Sequence, residues 1–455
     1  MTRRWLVGPL LVAAAVAAGL FVISGGPGSG TPAASTAPAA SSFAAGATAS
    51  SGSPTPSVAV VVPTERPSQS PIERPSASPS SSPSPSPGAP TVSPALAKRL
   101  QKALDRFAAA NRLPGSSVTI TWADGRTWTG TSGYADVTAR RPVTPDTVFG
   151  IASMSKTFTS ALILGLVDEG KLGLDTKVAT LLPKVRLGSP GTPIPAGVTV
   201  RMLLDHTSGL ADYFFGKGID KALMANRGAT WTAAQALAYV GKPLGKPGRT
   251  WHYSNTNYLL LGLVAERVGG APFARLVRQR LLDPVGLERA YIQVAEKPTG
   301  PLALGYYYNQ PGLGARPIGL ADTRRTVVPF TSVVTAAGSA GDVAATSADL
   351  AAWARALYGG KVLKPATLAL AVGDARQTAA YRPYVPYGLG VQVTRIDGHR
   401  AFGHSGRFIG VRGELRYLPG PGLAIAVLTN QNGADLRPLT ARLVALALPK
   451  PATNP

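Results

Sequence analysis

The chain has 455 residues, 45% of them apolar and 7% aromatic, enough for a sizeable core in one large domain or two smaller ones. It contains no cysteine, which excludes disulfides, a thiolate nucleophile, a lipid-modified N-terminal cysteine and any cysteine-based metal site. Its 46 basic and 23 acidic residues leave a formal charge of +23, mostly after residue 95; with no basic helix face and no aromatic-interleaved basic strand, nucleic acid is not the expected partner.

Met1 to Ile23 carries Arg3 and Arg4 ahead of an uncharged, mostly apolar run that starts at Trp5. At about 19 residues that run is long for a signal-peptide core and barely long enough to span a bilayer, so residues 1–24 read as a signal peptide or an N-terminal membrane anchor. The small-x-small sites Ala45-Gly-Ala47 and Ala47-Thr-Ala49 lie well past it, and the positive flank should stay in the cytoplasm, which favours an uncleaved anchor with the remainder outside. Residues 25–94 are rich in Ala, Ser, Pro, Thr and Gly and end in Ser-Pro alternation; they lack the apolar side chains to offset ordering entropy. Such a tether, if fully extended, reaches on the order of 200 Å.

Residues 95–450 hold the folded part. Leu96, Leu100, Leu104 and Phe107 recur at helical spacing from Ala95 to Asn111, before Pro114-Gly115. Ser117 to Trp122 and Arg126 to Ser132 form a hairpin around Asp124-Gly125. A largely helical middle runs to about Leu357. Strands return at Tyr387 to Ile396, Arg400 to His404, Gly410 to Tyr417 and Leu423 to Thr429, and Asp435 to Leu448 closes as a helix. The expected fold is α+β: an antiparallel sheet of about five strands, built from both chain ends and flanked by helices, facing a mostly helical insert across a cleft.

In Phe149-Gly-Ile-Ala-Ser-Met-Ser-Lys156, Ser153 and Lys156 stand three apart at a helix start and share one face of its first turn. Serine is a poor nucleophile until a base takes its proton, and lysine serves only when burial favours the uncharged amine; the apolar run from Ala161 to Val167 supplies that burial. Free backbone N–H groups at the helix start can meet an oxyanion. Tyr253 and Asn255, just ahead of a second apolar helix, offer a proton acceptor and a group to orient a substrate amide. His404 and Gly406 lie in Phe402-Gly-His-Ser-Gly-Arg407, at a strand edge where glycine lets a ligand approach the backbone. Each segment alone also fits a plain structural role. The four histidines lack zinc-hydrolase spacing, and no metal or other cofactor is expected.

In the order Ser-x-x-Lys, Tyr-x-Asn, His-x-Gly, residues 95–448 resemble the penicillin-recognising serine hydrolases, the superfamily of serine β-lactamases and D-alanyl-D-alanine carboxypeptidases, and most closely the class C branch. Leu203-Leu-Asp-His-Thr-Ser-Gly-Leu210 and Ala337-Gly-Ser-Ala-Gly-Asp342 match as well. The resemblance implies that Ser153 is acylated, that Lys156 and Tyr253 share proton transfer, that Asn255 holds the substrate amide, and that the N–H groups of Ser153 and Arg407 form the oxyanion hole. His404 stands where many members have a lysine, so anchoring of a substrate carboxylate should weaken unless Arg407 helps. His206 is assigned to structure. The expected protein is a monomeric, extracytoplasmic enzyme, anchored or secreted, acting on D-alanyl peptides, with an anionic envelope surface as a further partner. The alternatives are an esterase or β-lactamase of the same fold, or a non-catalytic envelope-binding module.

Overall fold

The computed structural model describes residues 91–308, 317–320, 327–373, 375 and 385–448. The expected leader, and the tether up to residue 90, lie outside them. No helix among the described residues is long and apolar enough to cross a membrane.

Helix α1 (Pro94–Ala110) starts on Ser93, whose Oγ accepts the Leu96 N–H, and buries Leu100, Leu104 and Ala108 on one stripe. A hairpin of β1 (Gly115–Thr121) and β2 (Thr127–Asp136) follows, then the two-residue β3 (Arg141–Pro142). Its turn is set by Asp124, whose carboxylate accepts the Arg126 N–H, and by Gly125 at φ 92°. The chain then leaves for a long excursion that includes α2 (Lys156–Asp168), α3 (Asn255–Gly269) and α4 (Ser347–Tyr358). It returns as β4 (Gln392–Ile396), β5 (His399–Phe408), β6 (Val411–Leu418), β7 (Leu423–Thr429) and helix α5 (Arg437–Ala447).

The seven strands form one antiparallel sheet in the order β4-β5-β6-β7-β1-β2-β3, in which Val118 pairs with Val427 and Ile120 with Ile425. Alternation along β1 then sorts its side chains. Val118 and Ile120 enter a core with Leu104 of α1 and Leu443 of α5. Ser117 and Thr119 point the other way, each 2.8 Å from Ser347 Oγ at the start of α4. On that second face α4 carries Trp353, which stacks on Phe158 of α2 at 4.2 Å and donates its indole N–H to Thr157. The sheet thereby fixes the start of α2 through α4.

Three features depart from the sequence-based expectation. The sheet has seven strands where about five were expected: six were legible as segments, and β3, at two residues, is too short to leave an alternating pattern. Within the largely helical middle, Phe149–Gly150, Val343–Ala345 and Tyr291–Ile292 form a small sheet that the sequence reading did not mark. There is also a basic helix face, since the helical repeat gathers exposed Lys98, Arg99, Lys102 and Arg106 of α1 within about 100° of arc.

Candidate active site

The chain reaches α2 by a sharp turn. Ala152, buried at φ 49°, occupies a left-handed conformation uncommon for a residue with a side chain. Ser153 therefore sits on a 3₁₀ turn, Ala152–Ser155, one step before α2 rather than in its first turn. The turn is pinned from the neighbouring small sheet, where the Val343 N–H donates to Ser155 Oγ.

Lys156, the first residue of α2, is fully buried, whereas Ser153 is half-buried. Lys156 Nζ lies 2.7 Å from Asn255 Oδ1, 2.8 Å from the Ala340 carbonyl oxygen and 3.2 Å from Ser153 Oγ. Burial brings the lysine pKa down from 10.5 to about 7, against the pull of Asp212, which raises it. An uncharged amine has two N–H groups and one lone pair. With both N–H groups taken by the two carbonyl oxygens, the lone pair is left for the Ser153 hydroxyl, which then donates to it.

Asn255 opens α3, and its carboxamide is held at both ends: Oδ1 accepts from Lys156, and Nδ2 donates to Asp212 Oδ2 at 2.7 Å, with one Nδ2 hydrogen to spare. The other Asp212 oxygen accepts the Phe214 N–H. Tyr253 reaches the same place. Lys156 Nζ lies 5.1 Å from its ring centroid, and its ring is 4.4 Å from that of His206 and 6.3 Å from that of His404. His206 is buried at φ 62° and holds the Tyr253–Asn255 loop from behind, since its Nδ1 accepts from the Ser254 N–H and from Asn257 Nδ2.

On the opposite wall, β5 lies against the Ser153 turn. A Cβ on Gly406 would fall 2.2 Å from the Ile151 carbonyl oxygen, and one on its cross-strand partner Gly413 would fall 2.3 Å from Met154 Cε. Two facing glycines thus let the backbone of residues 406 and 407 approach the nucleophile. His404 is buried; its Nδ1 lies 2.5 Å from the Ser405 carbonyl oxygen and its Nε2 lies 2.9 Å from the Tyr387 hydroxyl. Burial, with Lys156 nearby, brings its pKa down to about 3, so the ring is neutral. The structure therefore gathers Ser153, Lys156, Tyr253, Asn255, His404 and Gly406 from three remote segments.

Sequence reasoning missed Asp212, Tyr387 and the Ala340 carbonyl. The available signal for Asp212 was a lone acid in an apolar and aromatic run, Gly209-Leu-Ala-Asp-Tyr-Phe-Phe215. Its role has a measurable consequence. If Lys156 is the base that takes the Ser153 proton, only its neutral amine serves, and activity rises with pH through the lysine pKa. Asp212→Asn removes the charge that raises that pKa, and the rising limb of kcat/KM moves to lower pH. A limb that stays in place or moves up contradicts this electrostatic account.

A hydroxyl facing a buried, deprotonatable amine across from a glycine-lined strand edge is the arrangement of the serine hydrolases of the β-lactamase fold. The Beta-lactamase family model matches residues 100–448. "Penicillin-binding protein 4" of Amycolatopsis lactamdurans is 30% identical over 364 residues, which are 76% of this chain and 90% of that protein. "D-aminopeptidase" of Gluconobacter oxydans is 27% identical over 324 residues, 70% of this chain and 56% of that one. Among solved structures, a D-stereospecific amidohydrolase from Streptomyces superposes with a TM-score of 0.65 at 28% identity, covering 76% of this chain and 98% of that one. The chain belongs to the Beta-lactamase family of serine hydrolases, with penicillin-binding-protein and D-aminopeptidase relatives.

Proposed function

We propose that this protein hydrolyses amide bonds at D-amino acid residues through a covalent acyl-enzyme on Ser153. The observation that carries the reading is the Lys156 amine, fully buried, with both N–H groups satisfied and its third contact on Ser153 Oγ. In this reaction the Ser153 proton passes to Lys156 Nζ as Oγ attacks the carbonyl carbon. The N–H groups of Ser153 and Arg407 stabilise the oxyanion, and the leaving amine takes a proton relayed through Lys156 and Tyr253. Water then attacks the ester and frees Ser153.

D-alanyl-D-alanine carboxypeptidase action is the finer form expected from the sequence, and the penicillin-binding-protein relative supports it. One observation favours D-amino acid amides and esters instead: the neutral, buried His404 supplies no cation for a substrate carboxylate. The D-aminopeptidase relative and the D-stereospecific amidohydrolase structure agree with that preference. Extracytoplasmic placement belongs to the same proposal, supported by the apolar N-terminal run and the Pro/Ser-rich tether, and the exposed cations of α1 suit an anionic envelope surface.

A fluorescent penicillin or a fluorophosphonate is expected to label Ser153, and Ser153→Ala is expected to lose both the label and at least about 10³-fold in turnover. An unlabelled wild-type protein, or equal labelling of the variant, would remove the proposal in favour of a binding module.

A further inference from the structure

His404 occupies the position from which this site would meet a substrate's charged end, and its two nitrogens can be assigned from their partners. A contact of 2.5 Å between Nδ1 and the Ser405 carbonyl oxygen requires a hydrogen on Nδ1, because two lone pairs would otherwise face each other. On a neutral ring Nε2 is then the acceptor, and Tyr387 donates to it at 2.9 Å. The alternative, an imidazolium, would place a charge in a buried site beside Lys156 and the Glu414-paired Arg416, and among the described residues no carboxylate contacts the ring. Tyr387 is itself buried and is wedged among His206, Trp251 and Tyr253, with ring centroids 4.9 to 6.4 Å away. It is not placed to swing aside at little cost.

We propose that Tyr387 determines specificity: its hydroxyl caps His404 Nε2, so the site offers no imidazole N–H to a substrate carboxylate and selects amides and esters whose leaving side is uncharged. Tyr387 acts through His404 and is a positioning residue. This inference rests on the reading of the site as an acyl-enzyme amide hydrolase and names the substrate class of that site.

The test compares a peptide ending in D-Ala-D-Ala with the same peptide carrying a C-terminal amide, so that the scissile bond is identical and only the terminal charge differs. On the full-length chain, kcat/KM for the amide-capped peptide is expected to exceed that for the free acid by about tenfold or more, the effect of one charge-assisted hydrogen bond. In Tyr387→Phe, Nε2 is uncapped and can take a proton as a carboxylate binds. The preference is expected to shrink by about tenfold, through a lower KM for the free acid. A wild-type preference for the free acid, or a folded Tyr387→Phe protein with the wild-type ratio, overturns the proposal.

Nitrogen-15 spectra of the histidines in the wild-type chain provide a second arm that does not depend on the variant folding. The proposal requires His404 to remain an Nδ1–H tautomer from pH 5 to 8; a protonated ring or an Nε2–H tautomer contradicts it. If wild type cleaves neither peptide, the substrate reading above fails, and the spectra alone decide the role of Tyr387.

Discussion

Replacing Lys156 by methionine is expected to cut acylation about 10²- to 10⁴-fold, the usual worth of a general base, while leaving a folded protein. The side chains are of similar length, so α2 keeps its packing, but the Ser153 hydroxyl loses its acceptor. The same substitution changes the pH dependence of stability. Because the folded lysine pKa, about 7, lies below its unfolded value near 10.5, the buried ammonium weighs against folding fully below pH 7. That penalty fades as pH rises to 10.5. Methionine carries no such penalty. Asp212 adds in the same direction: already raised by burial, its pKa rises further once the neighbouring ammonium is gone, so the variant loses stability toward high pH. The difference in melting temperature, variant minus wild type, is therefore expected to be more positive at pH 6 than at pH 9. A difference that grows with pH would show that Lys156 is not the buried, depressed amine of the structure.

Gly406→Ala is expected to lose about a hundredfold in acylation rate and about 1 to 3 kcal/mol in stability. The added methyl group would lie 2.2 Å from the Ile151 carbonyl oxygen, a backbone atom that can yield only if the Ser153 turn moves with it. That turn and the strand at Arg407 carry the two proposed oxyanion donors, so separating them disturbs the geometry that stabilises the transition state. Gly420→Ala is the control: it meets nothing within 4 Å and should change neither quantity. Burst kinetics with a chromogenic ester, alongside thermal melts, separate the two effects. Full activity in Gly406→Ala would mean that the strand and the turn need not lie so close.

Much of this site was legible because its chemistry is concentrated in short segments. Ser153 and Lys156 share one turn, Tyr253 and Asn255 one loop, and His404 and Gly406 one strand, so residue types and order sufficed to bring them to notice. What the sequence could not convey is how those groups are held. Asn255 was expected to hold the substrate amide; that its carboxamide also spans Lys156 and Asp212 was not legible, because the link is made only when the 205–216 loop folds against the start of α3. Tyr387 precedes a strand and has no local pattern to mark it, and its proposed role depends on the hydroxyl meeting His404 of β5. The basic face of α1 escaped for a simpler reason: four cations that look scattered along the chain are drawn together by the helical repeat. Both chain ends were expected to share a sheet, and they do, because Val118 and Ile120 alternate with polar partners in the register that Ile425 and Val427 require.

The pairing of β1 with β7 has a further consequence for how the molecule is made. Val118 meets Val427, a partner about 300 residues downstream, so the hairpin synthesised first keeps an open edge until almost the whole domain has emerged. Contacts of such long range slow folding and lengthen the time during which a sticky strand is exposed. The nucleophile cannot be fixed in place any earlier, since α4, β5 and the Ser153 turn all rest on the completed sheet. A chain cut short before residue 423 would lack β7 as well as α5, and with them the support that holds the Ser153 turn in place.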